Sequence, residues 1–266
     1  MSEFEQQRRQ KLLDEDFYHY FQKILNWEIS EYDKHMKTTK EPFTEPMVFL
    51  QYEQLCLDYT AGKSISELPP LMVSIVELTT EAIDFVVRHS SVKNNEFVTQ
   101  LNSFSKYFES EFLSNLLGLC ILFDRQDWFE TIVKATDLDQ ENREKAIDSL
   151  IAMKIPNYPI TEANTPRGLS FRNPLYKAIH AETPKETLKY LDEYLCRWYD
   201  GLRKAGYEYI DIHLSQQEDS RDYCSFYGYW CFEAAAVAYL KNIDDSSLQH
   251  FMYYPKDMVA YARNKQ

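Results

Sequence analysis

A chain of 266 residues with 44% hydrophobic side chains is long enough for one large or two modest globular domains, and too apolar to be disordered except at its ends. Its 6 glycines are too few for the turns and phosphate loops of doubly wound α/β folds or for a β-sandwich, so an all-α fold with little or no β-structure is expected. A net charge of −13 disfavours nucleic acid and anionic membranes as partners and favours basic ones, although acidity also serves solubility alone.

The opening MSEFEQQRRQ has no apolar core of the kind a signal peptide needs. KLLDEDFYHYFQKILNWEISEYDKH then spaces Leu13, Phe17, Tyr20, Phe21, Ile24 and Trp27 by threes and fours, which predicts a long amphipathic helix. Pro42 and Pro46 interrupt it, and a second helix over about 46–61 ends at Gly62. Pro69 and Pro70 suit the first turn of a third, whose apolar face carries Leu71, Ile75, Leu78, Ile83 and Val86. A strong helix over about 96–122 ends in FLSNLLGLCILF, a run too short to span a bilayer. Two shorter helices follow, the second with Asp139 as its expected N-cap.

Residues 155–174 hold four prolines and no helical period, which predicts a long loop near a domain boundary; the expected domains are 1–136 and 137–266. Thr183, Pro184 and Glu186 form a capping-box pattern with proline at the first helical position, and Gly206 is the expected stop. The acidic loop YEYIDIHLSQQEDSRDY leads to GYWCFEAAAVAYL, a nearly all-apolar helix that must be buried on every side. Pro255 opens a last short helix. A faint echo between FLSNLLGLCILFD and FEAAAVAYLKNID raises the possibility of two similar halves.

Chemical motifs are sparse. No C-x-x-C, H-E-x-x-H, EF-hand loop, dinucleotide fingerprint or G-x-S-x-G is present, and the 6 histidines form no i, i+4 pair, so neither a metal nor another cofactor is expected. Five cysteines, Cys56, Cys120, Cys196, Cys224 and Cys231, are odd in number and lie in apolar patterns, which points to reduced core thiols in the cytoplasm. Glu109 and Glu111 fall on different helix faces and suggest solvent. Asp244 and Asp245 precede Ser246 and Ser247 and read as caps of the next element. Glu233 is the one formal charge between Asp222 and Lys241. It is either a catalytic carboxylate or a structural one held by tyrosine hydroxyls, an arginine or helix-end amides, and no second titratable group shares its helix face. The structural reading predicts that its loss destabilises the fold first.

The segment FYGYWCFEAAAVAYLKNIDDSSLQHFMYYPKDMVAYAR, residues 226–263, resembles the C-terminal signature of the PoNi family, immunity proteins for PoNe-type polymorphic nuclease toxins. The matching features are Tyr229, Trp230 and Glu233, the Ala-rich helix, Asp244 and Asp245 with two serines, then Tyr254 and Pro255. WYDGLRKAGYEYIDIH, with Trp198, Tyr199 and His213, is also similar, and DYTAGKSISELPP and LLGLCILFDRQDWFETIV resemble the N-terminal half of the family more loosely. The 155–174 loop and the stretch from Glu208 to Asp222 depart from the pattern.

The resemblance implies an all-helical, two-part, non-enzymatic protein of the bacterial cytoplasm that binds a cognate DNase toxin. It also implies that Glu233 belongs to the folding signature. A nuclease presents basic groups to its polyanionic substrate, so an inhibitor of net charge −13 is suited to compete for that surface. Specificity would then sit on the exterior, and Glu208, Asp211, Glu218, Asp219 and Asp222 are the expected contact residues. The rival readings are a helical scaffold with no toxin partner and an enzyme built on Glu233.

Overall fold

The computed structural model describes residues 2–39, 44–89, 110–136, 144–161, 169–207 and 209–265. Among these every regular element is an α-helix or a 3-10 turn, with no strand, in agreement with the all-α expectation. The chain forms two compact units: residues 1–104 with 211–228, and residues 105–210 with 229–266. The contacts divide these units near residue 104 and place an 18-residue segment, 211–228, in the first.

In the first unit, α1 (Glu3–Gln7) starts in a capping box between Ser2 and Glu5. The Asp14 carboxylate accepts from Asp16 N and Phe17 N at 3.0 and 3.1 Å and starts α2 (Glu15–Thr39). Phe17, Phe21 and Leu25, one turn apart, form its buried face. α3 (Thr44–Ala61) packs between α2 and α4 (Pro69–His89) and buries residues on all sides, from Val48 through Leu55 to Tyr59. It stops at Gly62, whose φ of +100° and 2.3 Å spacing from an ideal Cβ position to the Gln7 carbonyl oxygen leave room for glycine alone. Pro69 and Pro70 occupy the first turn of α4, as their lack of an N–H allows.

The second unit contains α5 (Ser110–Leu122), α6 (Gln126–Thr136), α7 (Lys145–Ala152), α8 (Asn173–His180), α9 (Pro184–Ala205), α10 (Phe232–Leu240) and α11 (Lys256–Arg263). Only the 110–122 part of the helix expected from 96 is described, and the expected cap Asp139 lies outside the described residues. The helix that follows begins later, at Lys145. The Pro-rich stretch is not all loop: Ser170–Arg172 form a 3-10 turn that runs into α8, with Pro174 in its first turn. Thr183 caps α9 by accepting from Glu186 N, and Gly206 ends it at φ +85°. The apolar helix is shorter than its sequence run, because 224–231 lie outside any helix and α10 starts at Phe232.

α10 is buried from Phe232 to Tyr239 and lies directly on α5. The echo therefore marks two central helices of one unit, not two halves of the protein. Their contact is close enough to require Gly118: an ideal Cβ there would sit 2.6 Å from the Phe232 carbonyl carbon and 2.8 Å from Glu233 N. Backbone cannot give way as a side chain can. Gly118→Ala is expected to destabilise the protein by about 1–3 kcal/mol, the usual range for forced overpacking. A thermal melt checks this, and an unchanged midpoint would contradict the close packing.

Candidate functional site

Two groupings of polar residues could carry function, one in each unit. The first surrounds Arg172, whose guanidinium is buried in the second unit. Its Nη1 donates to Glu144 Oε2 at 2.8 Å and its Nη2 to Glu111 Oε2 at 2.6 Å. Glu111 Oε1 accepts from Asn115 Nδ2 at 3.2 Å, and Asn115 Oδ1 accepts from Phe232 N at 3.1 Å, one of the open amides at the start of α10. Next along α10, Glu233 Oε1 accepts from the Tyr194 hydroxyl at 2.6 Å and the Cys231 thiol at 3.2 Å. Side chains from α5, α7's leading residue, the 170–172 turn, α9 and α10 thus meet at one polar centre.

Burial sets the protonation there. It pushes the Glu111 carboxyl up to about 8, the Glu233 charge adds to that rise, and Arg172 opposes it. Burial likewise raises Glu144 against the pull of Arg172. The Tyr194 hydroxyl and Cys231 thiol are held well above their ordinary values by burial and then by Glu233, so both stay protonated donors. Glu233 is 0% exposed and Arg172 is closed off as fully, so this grouping offers a substrate no approach to either. It is an internal brace. Glu111 was expected to face solvent; the structure corrects this, because α5 directs it inward to Arg172. Arg172 itself, in a proline-rich stretch without periodicity, gave no sequence signal.

The other residues of the 226–263 segment make mostly local and internal contacts. The Asp244 carboxylate caps Ser246 N at 3.0 Å, as expected for a turn start. Asp245 does otherwise: it is buried, paired with Arg263 at 2.7 Å, and accepts from the Tyr254 hydroxyl at 2.7 Å. Arg263 Nη2 continues to the Ile243 carbonyl at 2.6 Å, which fastens α11 to the end of α10. Pro255 stands at the N-cap position of α11, and Tyr229 packs edge-on to Tyr199 at 5.1 Å. Trp230 is buried, with its ring 6.2 Å from that of Phe232. Four of the five thiols are buried, whereas Cys196 is exposed on α9, and all five are free.

The second grouping is the 211–223 loop of the first unit. Its backbone is ordered by side chains. Gln216, itself buried, donates to the Leu12 and His213 carbonyls at 2.8 and 2.7 Å and accepts from Asp14 N at 3.0 Å. The Cys224 thiol closes the loop on the Ile212 carbonyl at 3.2 Å, and Phe226 anchors its end in the core. Between these ties run two 3-10 turns, Ile212–Ser215 and Arg221–Tyr223. Asp211 enters the first turn at φ +67°, a left-handed conformation that aspartate tolerates better than most residues.

Of the residues expected to contact a partner, Glu218, Asp219 and Asp222 are exposed here, Asp211 is half-buried, and Glu208 lies outside the described residues. Asp222 is fixed by the Tyr20 hydroxyl, which donates to it at 2.5 Å, while Arg221 lies 4.4 Å over the Tyr20 ring. Sequence reasoning missed two neighbours, Leu214 and Tyr223, which the loop holds in solvent. The signal available was their presence as large apolar residues in a stretch without helical period.

Among the described residues no group of three or more His, Cys, Asp or Glu side chains could hold a metal, and no helix is long and apolar enough to cross a membrane.

Residues 146–258 match the family described as PoNe immunity proteins (PoNi), C-terminal. No curated protein matches the chain. Among solved structures it is similar to the crystal structure of protein PA2201 from Pseudomonas aeruginosa. The TM-score is 0.67 at 16% identity, with 97% of this chain and 91% of that one covered, a likeness of fold alone.

The raised Glu111 carboxyl makes a pH prediction. A group that ionises near the ordinary glutamate value of 4.5 when unfolded and at about 8 when folded adds stability that is complete below the lower value and lost as pH rises through the upper one. The urea midpoint of the wild type should therefore fall between pH 6 and pH 9, and Glu111→Gln, which cannot ionise, should flatten that fall. A wild-type midpoint that holds or rises over the same range would contradict the assignment.

Proposed function

We propose that this chain is a non-enzymatic immunity protein of the bacterial cytoplasm that neutralises a cognate DNase toxin by capturing its basic surface. The observation that carries the reading is the family match over 146–258. It fits the charge: a nuclease that attracts a polyanion presents basic groups, and a partner of net charge −13 is drawn to them. Free thiols throughout suit a reducing compartment.

The contact region in this reading is the 211–223 loop, together with Glu208. Four carboxylates, Asp211, Glu218, Asp219 and Asp222, stand there against the single guanidinium of Arg221. Their loop is already ordered by Gln216 and Cys224, so little conformational entropy remains to be lost on binding. The family signature around Glu233 keeps the fold, and the exterior discriminates between toxins.

Titration against the nuclease domain encoded beside this chain tests the reading, with DNA cleavage and complex formation followed across salt. Stoichiometric loss of cleavage is expected, with an association rate that falls steeply as salt rises. Glu218→Lys with Asp219→Lys should slow association by about tenfold or more at low salt without moving the melting temperature. Asp222 is left intact in that variant because it also bonds Tyr20. Cleavage untouched at low salt, with no complex, would sink the reading and leave a scaffold role.

A further inference from the structure

The three most exposed large apolar side chains among the described residues are Tyr223 at 86%, Leu214 at 70% and Trp27 at 62%, and all belong to the first unit. Tyr223 and Leu214 sit in the two 3-10 turns of the acidic loop. The loop joins α2 through Tyr20, which bonds Asp222 and lies under Arg221. Trp27 follows Tyr20 by seven residues, hence on the same helix face and about 10 Å farther along the axis. Leu214 and Tyr223 therefore share their loop with Glu218, Asp219 and Asp222, and Trp27 lies on the helix face to which that loop is joined.

Each of these side chains would lower its free energy by leaving water, yet the loop holds two of them outward with ties that do not involve them. Tyrosine and tryptophan are the residues that dominate binding energy where an interface core is desolvated, and a stiff scaffold limits the entropy lost when they are immobilised. Charges on the rim chiefly accelerate encounter, whereas central apolar contacts chiefly slow release.

We propose that Trp27, Leu214 and Tyr223 are the apolar anchors of the toxin interface, seated in an apolar depression of the partner that is bordered by lysine and arginine side chains. This rests on the function proposed above and divides its labour: the carboxylates set how fast the complex forms, and the anchors set how long it lasts. The charge of the rim argues for a basic protein partner over a second copy of this acidic chain, which would meet like charge.

Association and dissociation rates with the same nuclease domain decide the matter for wild type, Trp27→Ala, Leu214→Ala and Tyr223→Ala. Val73→Ala serves as a control, since Val73 is also exposed but lies on α4. Dissociation should accelerate by about tenfold or more for Tyr223→Ala and Trp27→Ala and by a smaller factor for Leu214→Ala, with association rates within about twofold of wild type and melting unchanged. The control should match wild type. If wild type binds and the three variants release the toxin at its rate, the anchors are overturned while the immunity reading stands. If wild type itself does not bind, the immunity reading fails and the anchors with it. If the variants instead lose a self-association seen by wild type in sedimentation, and toxin release is unaltered, the patch serves a second copy and the proposal is wrong.

Discussion

The second unit depends on one buried cation. Arg172 is removed from water and held by two carboxyl groups, those of Glu111 and Glu144, at hydrogen-bonding distance. Such an arrangement adds little net stability when it is complete, because desolvation opposes the Coulomb attraction, but losing one partner strands charge in the interior at about 3–5 kcal/mol. The pairing is therefore a constraint on geometry more than a source of stability. It admits one placement of α5, α7 and the 170–172 turn, and through Asn115 it reaches the first amide of α10. Glu233 then stands where Tyr194 and Cys231 can donate to it. Its isolation in an apolar run is explained by partners that come from far away in the sequence.

A second ionic tie, Asp245 with Arg263 and Tyr254, fixes the last helix in the same manner. Arg172 and Asp245, one in each tie, fall within the matched residues 146–258 and are buried, whereas Glu111 precedes the match and Arg263 is a third exposed. Buried ties of this kind maintain a scaffold. Recognition needs the reverse properties, exposure and a shape held without the help of the exposed groups. The 211–223 segment has them, since Gln216, Cys224 and Phe226 hold its backbone while Leu214, Glu218, Asp219 and Tyr223 stay outside.

Local chemistry made much of the fold legible in the sequence. Pro69 and Pro70 at the start of α4, Gly62 after α3, and the Thr183–Glu186 cap and Gly206 stop of α9 each act through backbone geometry within a few residues. Long-range pairings were illegible for the opposite reason. Arg172 meets Glu111 across 61 positions and Tyr194 meets Glu233 across 39, and no periodicity connects them. Asp245 read as a cap because an Asp-Asp-Ser-Ser run allows one, and only its neighbour Asp244 takes that role. The division into units was hidden as well, since a contiguous reading cannot show that 211–228 returns to the first. The acidity of the candidate site was plain in sequence, whereas the exposure of Tyr223 and Leu214 depends on which neighbours fail to cover them.

The most direct measurement is hydrogen–deuterium exchange of the whole chain with and without the nuclease domain. Binding is proposed for the first unit's acidic loop and the adjoining face of α2, and scaffolding for the buried centre of the second unit. This predicts toxin-dependent protection of amides in 209–223 and around Trp27, with α5 and α10 already slow to exchange and unchanged. Protection concentrated elsewhere, with 209–223 exchanging as freely as in the unbound protein, would contradict it.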